Sequence, residues 1–395
     1  MSSAHPSDER AAAGTDPAAT AATLRDAGFV RLVAAADGDA LAATGLLASA
    51  LGDVGVPFQT RVRTESRADP GADGAVVRVG GRTEGRVDAH LSRDAGPASV
   101  AAHAVARELG ADPSPTLALA GAVAAGTTPG DDGTAVVLEA ATRRGAVERR
   151  PGVAVPVTDV ADGLAHSTLV RAPFSGDTDA ARAALNVGEG TDATDADDER
   201  RRVASLVAVE AATAPEARPR AASAVERVLR PYATPDGPFE TVGGHADVLR
   251  AVARERPGTG VALALGGRGD YDPRPAALDA WRTHGRAVHA LLDGATTGRY
   301  DGLFVVRTDD APLGRLRTAA RIVAAYRSPE PLALVVSDGS AAATAAPDAA
   351  VDVRNPMDGA ATAVGGDALG DGRRAAARFD GEVQAFIAAF REAMS

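Results

Sequence analysis

Apolar runs and amphipathic segments alternate along most of the chain. An apolar run from Phe29 to Ala36 predicts a buried strand, Asp37-Gly38-Asp39 predicts a tight turn, and residues 40–51 predict a helix that packs back on the sheet. The same patterns predict further strands at 54–62, 75–79 and 136–141, and helices at 23–27, 97–109 and 117–125. Strands that alternate with helices at this spacing indicate a parallel sheet.

A second α/β pattern begins near residue 239. It predicts strands at 261–265, 303–306, 332–336, 349–353 and 375–379, and helices at 275–292, 313–326 and 382–394. Between the two halves, helices are predicted at 199–212 and 221–229, and Pro215 and Pro219 separate them.

These elements predict an α/β fold class: an N-terminal doubly wound parallel sheet, a helical connector and a smaller C-terminal α/β domain. The predicted segments are a disordered tail at 1–22, a first domain at 23–165, a partly helical connector at 166–238 and a second domain at 239–395. A chain of 395 residues is long enough for two or three domains with a sizeable core.

The basic residues are all arginine. The chain has 42 Arg, no Lys, a formal net charge of −11 and 3% aromatic residues. An acidic surface keeps a protein dispersed in concentrated salt, where charges are screened within roughly 3 Å at about 1 M. This composition is therefore typical of an extreme halophile. Because affinity from phosphate neutralisation falls steeply with salt, a nucleic-acid contact would depend on hydrogen bonds and stacking.

Several classes of chemistry are excluded by composition. The chain has no Cys, so it has no disulfide, no cysteine-ligated zinc and no thiol nucleophile. No run of about 18 apolar residues predicts a transmembrane helix. Residues 1–20 lack the basic start and apolar core of a secretory signal, so a cytoplasmic protein without a membrane partner is expected.

Asp37 and Asp39 follow the first predicted strand. Open α/β sheets bind ligands and metals at the carboxyl ends of their strands, and Asp39 can also cap the helix that begins there. This unit resembles the first motif of the DHH phosphoesterase superfamily, His-x-Asp-x-Asp-Gly before a small-residue helix. Asp37 and Gly38 match the end of that motif, whereas Val33 and Ala35 stand at its His and first Asp. The superfamily includes the RecJ single-strand exonucleases and the catalytically silent DHH-like subunit of the replicative helicase.

The resemblance implies a two-metal site, usually filled by manganese, with ligands at four motifs. The second motif falls where Gly80 follows a strand, the third has Asp88-Ala89-His90 as its nearest candidate, and the fourth has Ala125 at its Asp position. The resemblance thus leaves four catalytic candidates: Asp37, Asp39, Asp88 and His90. Asp37 and Asp88 are the metal-ligand candidates. The expected cofactor is none, or Mn2+ or Mg2+ if the protein is active.

The C-terminal half resembles the DHHA1 substrate-binding domain, whose Gly-Gly-His motif grips phosphate through backbone N–H groups and an imidazole. Gly365 and Gly366 stand at that position, but Asp367 replaces the His. Gly243-Gly244-His245 also matches the residue types of this motif, but not its position in the domain. The candidate phosphate- or nucleic-acid-binding residues are therefore Gly243, Gly244, His245, Gly365, Gly366, Arg373 and Arg374.

Three functional hypotheses follow. The first is a RecJ-like protein that has lost metal catalysis and acts as a nucleic-acid-binding or scaffold subunit in DNA replication or repair, with single-stranded DNA or RNA and replication or repair proteins as partners. The second is an active, metal-dependent single-strand exonuclease or phosphoesterase. The third is an α/β interaction protein unrelated to the DHH superfamily. Under all three, helix capping alone is an alternative role for Asp37 and Asp39.

Overall fold

The computed structural model describes residues 16–63, 74–81, 87–131, 133–186, 195–267 and 271–394. Contacts divide the chain into two compact units, one that ends at Leu138 and one that begins at Glu139. Each unit is considered by itself. The finer division into two domains and a connector stays a prediction.

Within the described residues of the first unit, four parallel strands form a sheet of order β2-β1-β3-β4. The strands are β1 Val30–Ala35, β2 Phe58–Arg63, β3 Ala75–Val79 and β4 Ala89–Leu91. One face of the sheet is apolar and fully buried, because side chains alternate along each strand. That face includes Leu32, Ala34, Val77, Val79 and Leu91.

The helices of the first unit are α1 Pro17–Asp26, α2 Gly38–Asp53, α3 Ala98–Glu108 and α4 Pro115–Ala125. The next helix, α5 Ala135–Arg143, includes the boundary between the two units. Helix α2 packs on β1 and also against α3 and α4. A Cβ atom added to Gly121 of α4 would lie 2.5 Å from Ser99 of α3 and 2.7 Å from Ala42 of α2. Small residues thus bring three helices together beside the carboxyl end of the sheet.

The second unit begins with helices α6 Val160–His166, α7 Thr178–Asn186, α8 Ala196–Thr213 and α9 Arg220–Glu226, and an antiparallel pair, β5 Glu148–Arg149 with β6 Tyr232–Ala233. Helices α10 Val242–Glu255, α11 Pro257–Ala264 and α12 Arg274–Asp293 follow. Trp281 of α12 is fully buried in this region.

In the described C-terminal part, six strands form a mixed sheet of order β11-β12-β10-β9-β8-β7, with β8 and β9 parallel and the other neighbours antiparallel. The strands are β7 Thr296–Tyr300, β8 Leu303–Arg307, β9 Leu332–Ser337, β10 Ser340–Ala345, β11 Asp367–Gly370 and β12 Arg374–Arg378. The helices are α13 Leu313–Ile322, which continues as a π-helical turn at Val323–Arg327, α14 Arg354–Ala363 and α15 Val383–Glu392.

Both faces of this sheet are covered. Val335, Ala342 and Ala376 pack in the core that includes Leu316 and Ala320 of α13. Residues of the other face pack against α14 and α15, where Phe386 stacks on Phe379 at 4.4 Å. Strands β10 and β12 are neighbours in the middle of the sheet. Three successive cross-strand pairs between them are alanine with alanine: 341 with 377, 342 with 376 and 343 with 375.

The predicted fold class is confirmed: the chain is α/β, with a parallel four-stranded sheet and a separate C-terminal mixed sheet. Two predicted strands are wrong, because residues 136–141 lie in α5 and residues 261–264 lie in α11. A short apolar run does not separate a strand from a helix by periodicity, and Pro257 at the first turn of α11 favours the helix.

Two further predictions also differ from the structure. Residues 349–352 are irregular, and the strand in that region is the alanine-rich β10, which is formed because β9 and β12 pair with both of its edges. The predicted tail at 1–22 overlaps α1, where Asp16 caps the helix and Leu24 is buried. Residues 1–15 of that tail lie outside the described residues. No helix in the described ranges is long and apolar enough to cross a membrane.

The close approach of α2, α3 and α4 predicts that Gly121→Ala destabilises the protein. The added methyl group would overlap Ser99 and Ala42, so we expect a loss of about 2 kcal/mol or more in the free energy of unfolding. The measurement is denaturant unfolding in concentrated KCl. Gly258→Ala is the control, because Gly258 is helical with nothing within 4 Å of its added Cβ, and should stabilise by about 1 kcal/mol or less. Equal effects of the two substitutions would contradict the packing account.

Candidate functional site

Asp37 lies at the carboxyl edge of the parallel sheet, directly after β1. It is the N-cap of α2, and its Oδ1 accepts a hydrogen bond from the N–H of Ala40 at 2.9 Å. The other oxygen, Oδ2, faces the end of β3, where a Cβ atom on Gly80 would lie 3.7 Å from it. The carboxylate is therefore engaged by the helix that it starts, and the neighbouring strand end carries no side chain.

The side chain of Asp39 caps a different helix. Its side chain is 1% exposed and accepts hydrogen bonds from the first two N–H groups of α3, Ala98 at 2.9 Å and Ser99 at 3.0 Å. Burial raises the pKa of this carboxyl group, and Arg93, whose Nε lies 3.8 Å from Oδ2, opposes the rise. Asp39 thus joins the start of α2 to the start of α3.

An arginine lies beside the end of β3. Gly80 and Gly81 have φ values of +65° and +63°, the left-handed region that glycine adopts readily. A Cβ atom on Gly81 would lie 3.1 Å from Nη2 of Arg78 and 3.5 Å from the Cβ of Ala35. The Nε of Arg78 donates to the carbonyl of Gly80 at 3.3 Å. A buried guanidinium group therefore lies beside the end of β3, near Ala35.

Asp88 lies at the opposite edge of the sheet from Asp37. It precedes β4, and its Oδ2 accepts from the N–H of Val76, near the amino end of β3, at 2.8 Å. His90 lies inside β4, where its Nε2 is 3.1 Å from the carbonyl of Gly81 and burial lowers the pKa of its imidazole. The structure does not bring Asp37, Asp39, Asp88 and His90 together into one site.

The carboxyl end of β4 carries Arg93, which the sequence reasoning missed. Because β4 ends at Leu91, the residues at this edge are Ser92, Arg93 and Asp94, and not Asp88 to His90. The Nη2 of Arg93 donates to the carbonyl of Ala125, the last residue of α4, at 2.8 Å. The sequence carries no local signal for this position, because the end of the three-residue strand β4 is defined by its pairing with β3.

A cavity of about 400 Å³ lies at this edge. Its lining includes Arg93, Asp94, Gly96, Pro97, Ala125 and Thr127. In the described parts of the chain, no group of three or more His, Asp or Glu side chains is placed to hold a metal ion. The residues present do not fit a pair of divalent cations, since the buried Asp39 carboxylate is bound by backbone amides and a guanidinium occupies the neighbouring space.

The Gly243-Gly244-His245 motif serves packing. Thr241 caps α10, and a Cβ atom on Gly244 would overlap the backbone of Val155 and Pro156. His245 is 4% exposed and its ring lies 4.9 Å from that of Phe239. Neither ring nitrogen has a hydrogen-bond partner within the described ranges, and burial lowers the pKa of the imidazole to about 4.

The second candidate motif also contacts backbone. Gly365 has a φ of +74° just after α14, and a Cβ atom on Gly366 would overlap the carbonyl of Arg378. Arg373 donates to the carbonyls of Ala346 at 2.9 Å and Pro347 at 3.0 Å, and so holds the segment after β10. Arg374 is half-buried at the start of β12.

The fold is that of the RecJ-like DHH superfamily. RecJ from Thermus thermophilus in complex with Mn2+ matches 97% of this chain and 55% of its own, with a TM-score of 0.51 and 15% identity. CDC45 from Entamoeba histolytica matches 94% of this chain and 97% of its own, with a TM-score of 0.58 and 10% identity. The chain therefore spans about half the length of the RecJ chain that it matches. The likeness to both structures is one of fold.

Sequence comparison identifies the family within that class. A family model described as "Uncharacterized protein rrnAC1427, C-terminal domain" matches residues 295–392. The protein rrnAC1427 of Haloarcula marismortui is 53% identical over 383 residues, which cover 96% of this chain and 97% of that protein. The chain belongs to the rrnAC1427 family.

The hydrogen bonds of Asp39 predict that Asp39→Ala is strongly destabilising. The substitution leaves the N–H groups of Ala98 and Ser99 buried without acceptors, and we expect a loss of about 3 kcal/mol in the free energy of unfolding. Asp53→Ala, at the exposed end of α2, is the control and should change stability by about 0.5 kcal/mol or less. Denaturant unfolding of both variants checks this, and a small effect of Asp39→Ala would contradict the capping role.

Burial of His245 predicts a loss of stability in acid. The unfolded imidazole takes up a proton near its ordinary pKa of 6.5, whereas the folded one does so at about 4. Protons therefore bind the unfolded state first, and stability falls as the pH drops through this window, by about 3 kcal/mol from this residue. His245→Leu should lose correspondingly less between neutral pH and pH 4. The measurement is the free energy of unfolding of both proteins across the window, and parallel pH profiles would contradict the account.

Proposed function

We propose that this protein is a non-catalytic member of the RecJ-like DHH superfamily that acts as a nucleic-acid-binding or scaffold subunit in DNA replication or repair. The observation that carries the proposal is the composition of the carboxyl edge of the parallel sheet. Ala35, Gly80 and Ala125 stand at three positions where the superfamily resemblance requires ligands, and Arg93 bonds to the last of them.

The charge distribution at this edge supports the proposal. Two-metal hydrolysis requires several carboxylates around ions that activate water and stabilise the transition state. Both carboxylate oxygens of Asp39 accept hydrogen bonds from backbone N–H groups. One oxygen of Asp37 accepts a hydrogen bond from an N–H of its own helix. The guanidinium groups of Arg78 and Arg93 lie at the same edge, and their positive charges would repel a divalent cation.

The likeness to CDC45 supports a role in replication. It extends over nearly the whole of both chains, whereas the RecJ match covers only 55% of RecJ. We propose that residues 239–395 act as a DHHA1-like domain, and the family model at 295–392 falls within this range. Single-stranded DNA or RNA and replication or repair proteins are the proposed partners. The acidic, lysine-free composition supports a protein adapted to concentrated salt, and the cytoplasm is its proposed location.

The alternative is an active Mn2+- or Mg2+-dependent exonuclease. The observation that favours it is the position of Asp37, which lies at the end of β1 with Oδ2 directed toward the end of β3. The matched RecJ was found in complex with Mn2+, which supports a divalent metal for an active relative.

The proposal predicts that the purified protein does not hydrolyse single-stranded DNA with Mn2+ in concentrated KCl. Hydrolysis of an end-labelled oligonucleotide and calorimetric titration with Mn2+ are the two measurements. We expect no metal-dependent product and no saturable Mn2+ binding.

Two variants make this experiment decisive. Asp37→Asn removes the carboxylate at the candidate site, and Asp53→Asn removes one at the exposed end of the same helix. Hydrolysis that is present in the wild type, abolished by Asp37→Asn and retained by Asp53→Asn would overturn the proposal in favour of the exonuclease.

A further inference from the structure

Strand β7 forms one edge of the six-stranded sheet in the second unit. Within the described residues it pairs with β8 alone, and most of it is exposed, namely Thr296, Thr297, Arg299 and Tyr300. An edge strand carries N–H and C=O groups that no neighbouring strand uses, and such groups can accept a further strand. The hydrogen bonds of β8 define which groups of β7 are available.

Strand β8 lies between β7 and β9, and its residues alternate between these two neighbours. At its two ends, the N–H of Leu332 donates to the carbonyl of Gly302 at 3.2 Å, and the N–H of Thr308 donates to the carbonyl of Val336 at 3.0 Å. The even-numbered residues of β8 therefore face β9, and the odd-numbered residues face β7. Because those odd-numbered residues pair with the even-numbered residues of β7, the odd-numbered residues of β7 direct their backbone groups outward.

Thr297 and Arg299 thus present their N–H and C=O groups at the edge. Among the described residues, no other segment is hydrogen-bonded to these backbone groups. Natural edge strands are usually protected by proline, by a bulge or by an uncompensated charge. Strand β7 contains no proline, its register with β8 is unbroken, and Arg299 forms an ion pair with Glu330. The opposite edge strand, β11, begins at the exposed Asp367.

Strand β7 is complementary to a second copy of itself in one antiparallel register. When Gly298 lies opposite Gly298 of the second copy, Thr297 lies opposite Arg299, and the outward groups of both residues are paired in both copies. A shift by two residues in one direction places Arg299 opposite Arg299, where like charges repel. A shift in the other direction moves Arg299 beyond the start of the second β7. The register centred on Gly298 is therefore favoured.

The side chains of β7 are compatible with this register. Gly298 falls at a pair without hydrogen bonds, where the two Cα atoms approach to about 4.5 Å and the absence of a side chain leaves space. Tyr300 is 36% exposed and would lie opposite Thr296 of the second copy, a stabilising pair of an aromatic and a β-branched residue. The charge of Arg299 is balanced by Glu330 within each copy.

We propose that the protein forms a two-fold symmetric dimer in which β7 of one copy pairs antiparallel with β7 of a second copy around Gly298. Both copies use the same surface, so the interface closes on itself and does not lead to a filament. Hydrogen bonds between neutral backbone groups do not depend on charges that salt screens, and they suit a protein adapted to concentrated salt. The dimer does not depend on whether the carboxyl edge of the first unit is catalytic.

The first experiment measures the mass of the full-length protein by sedimentation equilibrium in concentrated KCl over a range of protein concentrations. We expect a reversible dimer. Thr297→Pro removes an outward N–H without removing a bond to β8, and should weaken the dimer at least about tenfold. Thr297→Val is the matched control, because it keeps the N–H and a β-branched side chain, and should change the dissociation constant by about twofold or less.

Two results of this experiment would overturn the proposal. One is a wild-type protein that stays monomeric at every concentration, which would leave an extended segment of another protein as the occupant of this edge. The other is a dimer that Thr297→Pro and Thr297→Val affect equally, which would place the interface elsewhere.

The second experiment tests the register by cross-linking and does not use proline. The chain contains no cysteine, so one introduced thiol reports on one position. A Cβ atom on Gly298 would have its nearest contact at 3.7 Å, with Cε2 of Tyr300, so Gly298→Cys fits the folded chain. In the dimer it places two thiols opposite each other at a Cα separation that a disulfide can span.

Diamide, which takes up the two thiol hydrogens, should convert Gly298→Cys to a covalent dimer on a denaturing gel without reductant. Asp367→Cys is the control, because it places an exposed thiol at the opposite edge of the same sheet, and should stay largely monomeric. Equal rates of cross-linking in the two variants, or no cross-linking of Gly298→Cys, would contradict the pairing around Gly298.

Discussion

The hydrogen bonds between Asp39 and the start of α3 are the interaction on which the first unit depends. A buried carboxylate there satisfies two N–H groups that the helix itself leaves without partners, and its negative charge favours the positive end of the helix dipole. Arg93 then balances that charge and also donates to the last carbonyl of α4. One carboxylate and one guanidinium thereby fix the ends of three helices around the carboxyl edge of the sheet.

Among the described residues, protein groups hold the carboxyl edge of the sheet together. In a metal-dependent site, carboxylates converge on cations, and the cations hold the surrounding elements in place. Here the corresponding edge is held by backbone amides, a helix cap and arginine side chains. Protein contacts also occupy the candidate motif of the second unit. There, Gly243-Gly244-His245 packs α10 against the backbone of Val155 and Pro156.

The sequence was sufficient to predict β1, the turn at Asp37 and helix α2, because an apolar run followed by a capping residue and a small-residue helix has few other solutions. It was not sufficient to place Asp88. Asp88 matched a motif by residue type alone, whereas its location depends on strand register. That register pairs the start of β4 with Val77, and Asp88 contacts the neighbouring Val76. Arg93 was missed because the end of the three-residue strand β4 is defined by its pairing with β3. Strand β10 was missed for the same reason: it consists mostly of alanine and is defined by its two neighbours.

The facing alanines of β10 and β12 set a limit on how this unit can change. With only methyl groups at positions 341–343 and 375–377, the helices on each side lie close to the sheet, and these side chains are almost fully buried. A larger residue at any of these positions would push a whole helix outward, since a packed interior has no space to absorb the added volume. Divergence within the family should therefore leave this pair of strands restricted to the smallest side chains, even where the surrounding surface changes freely.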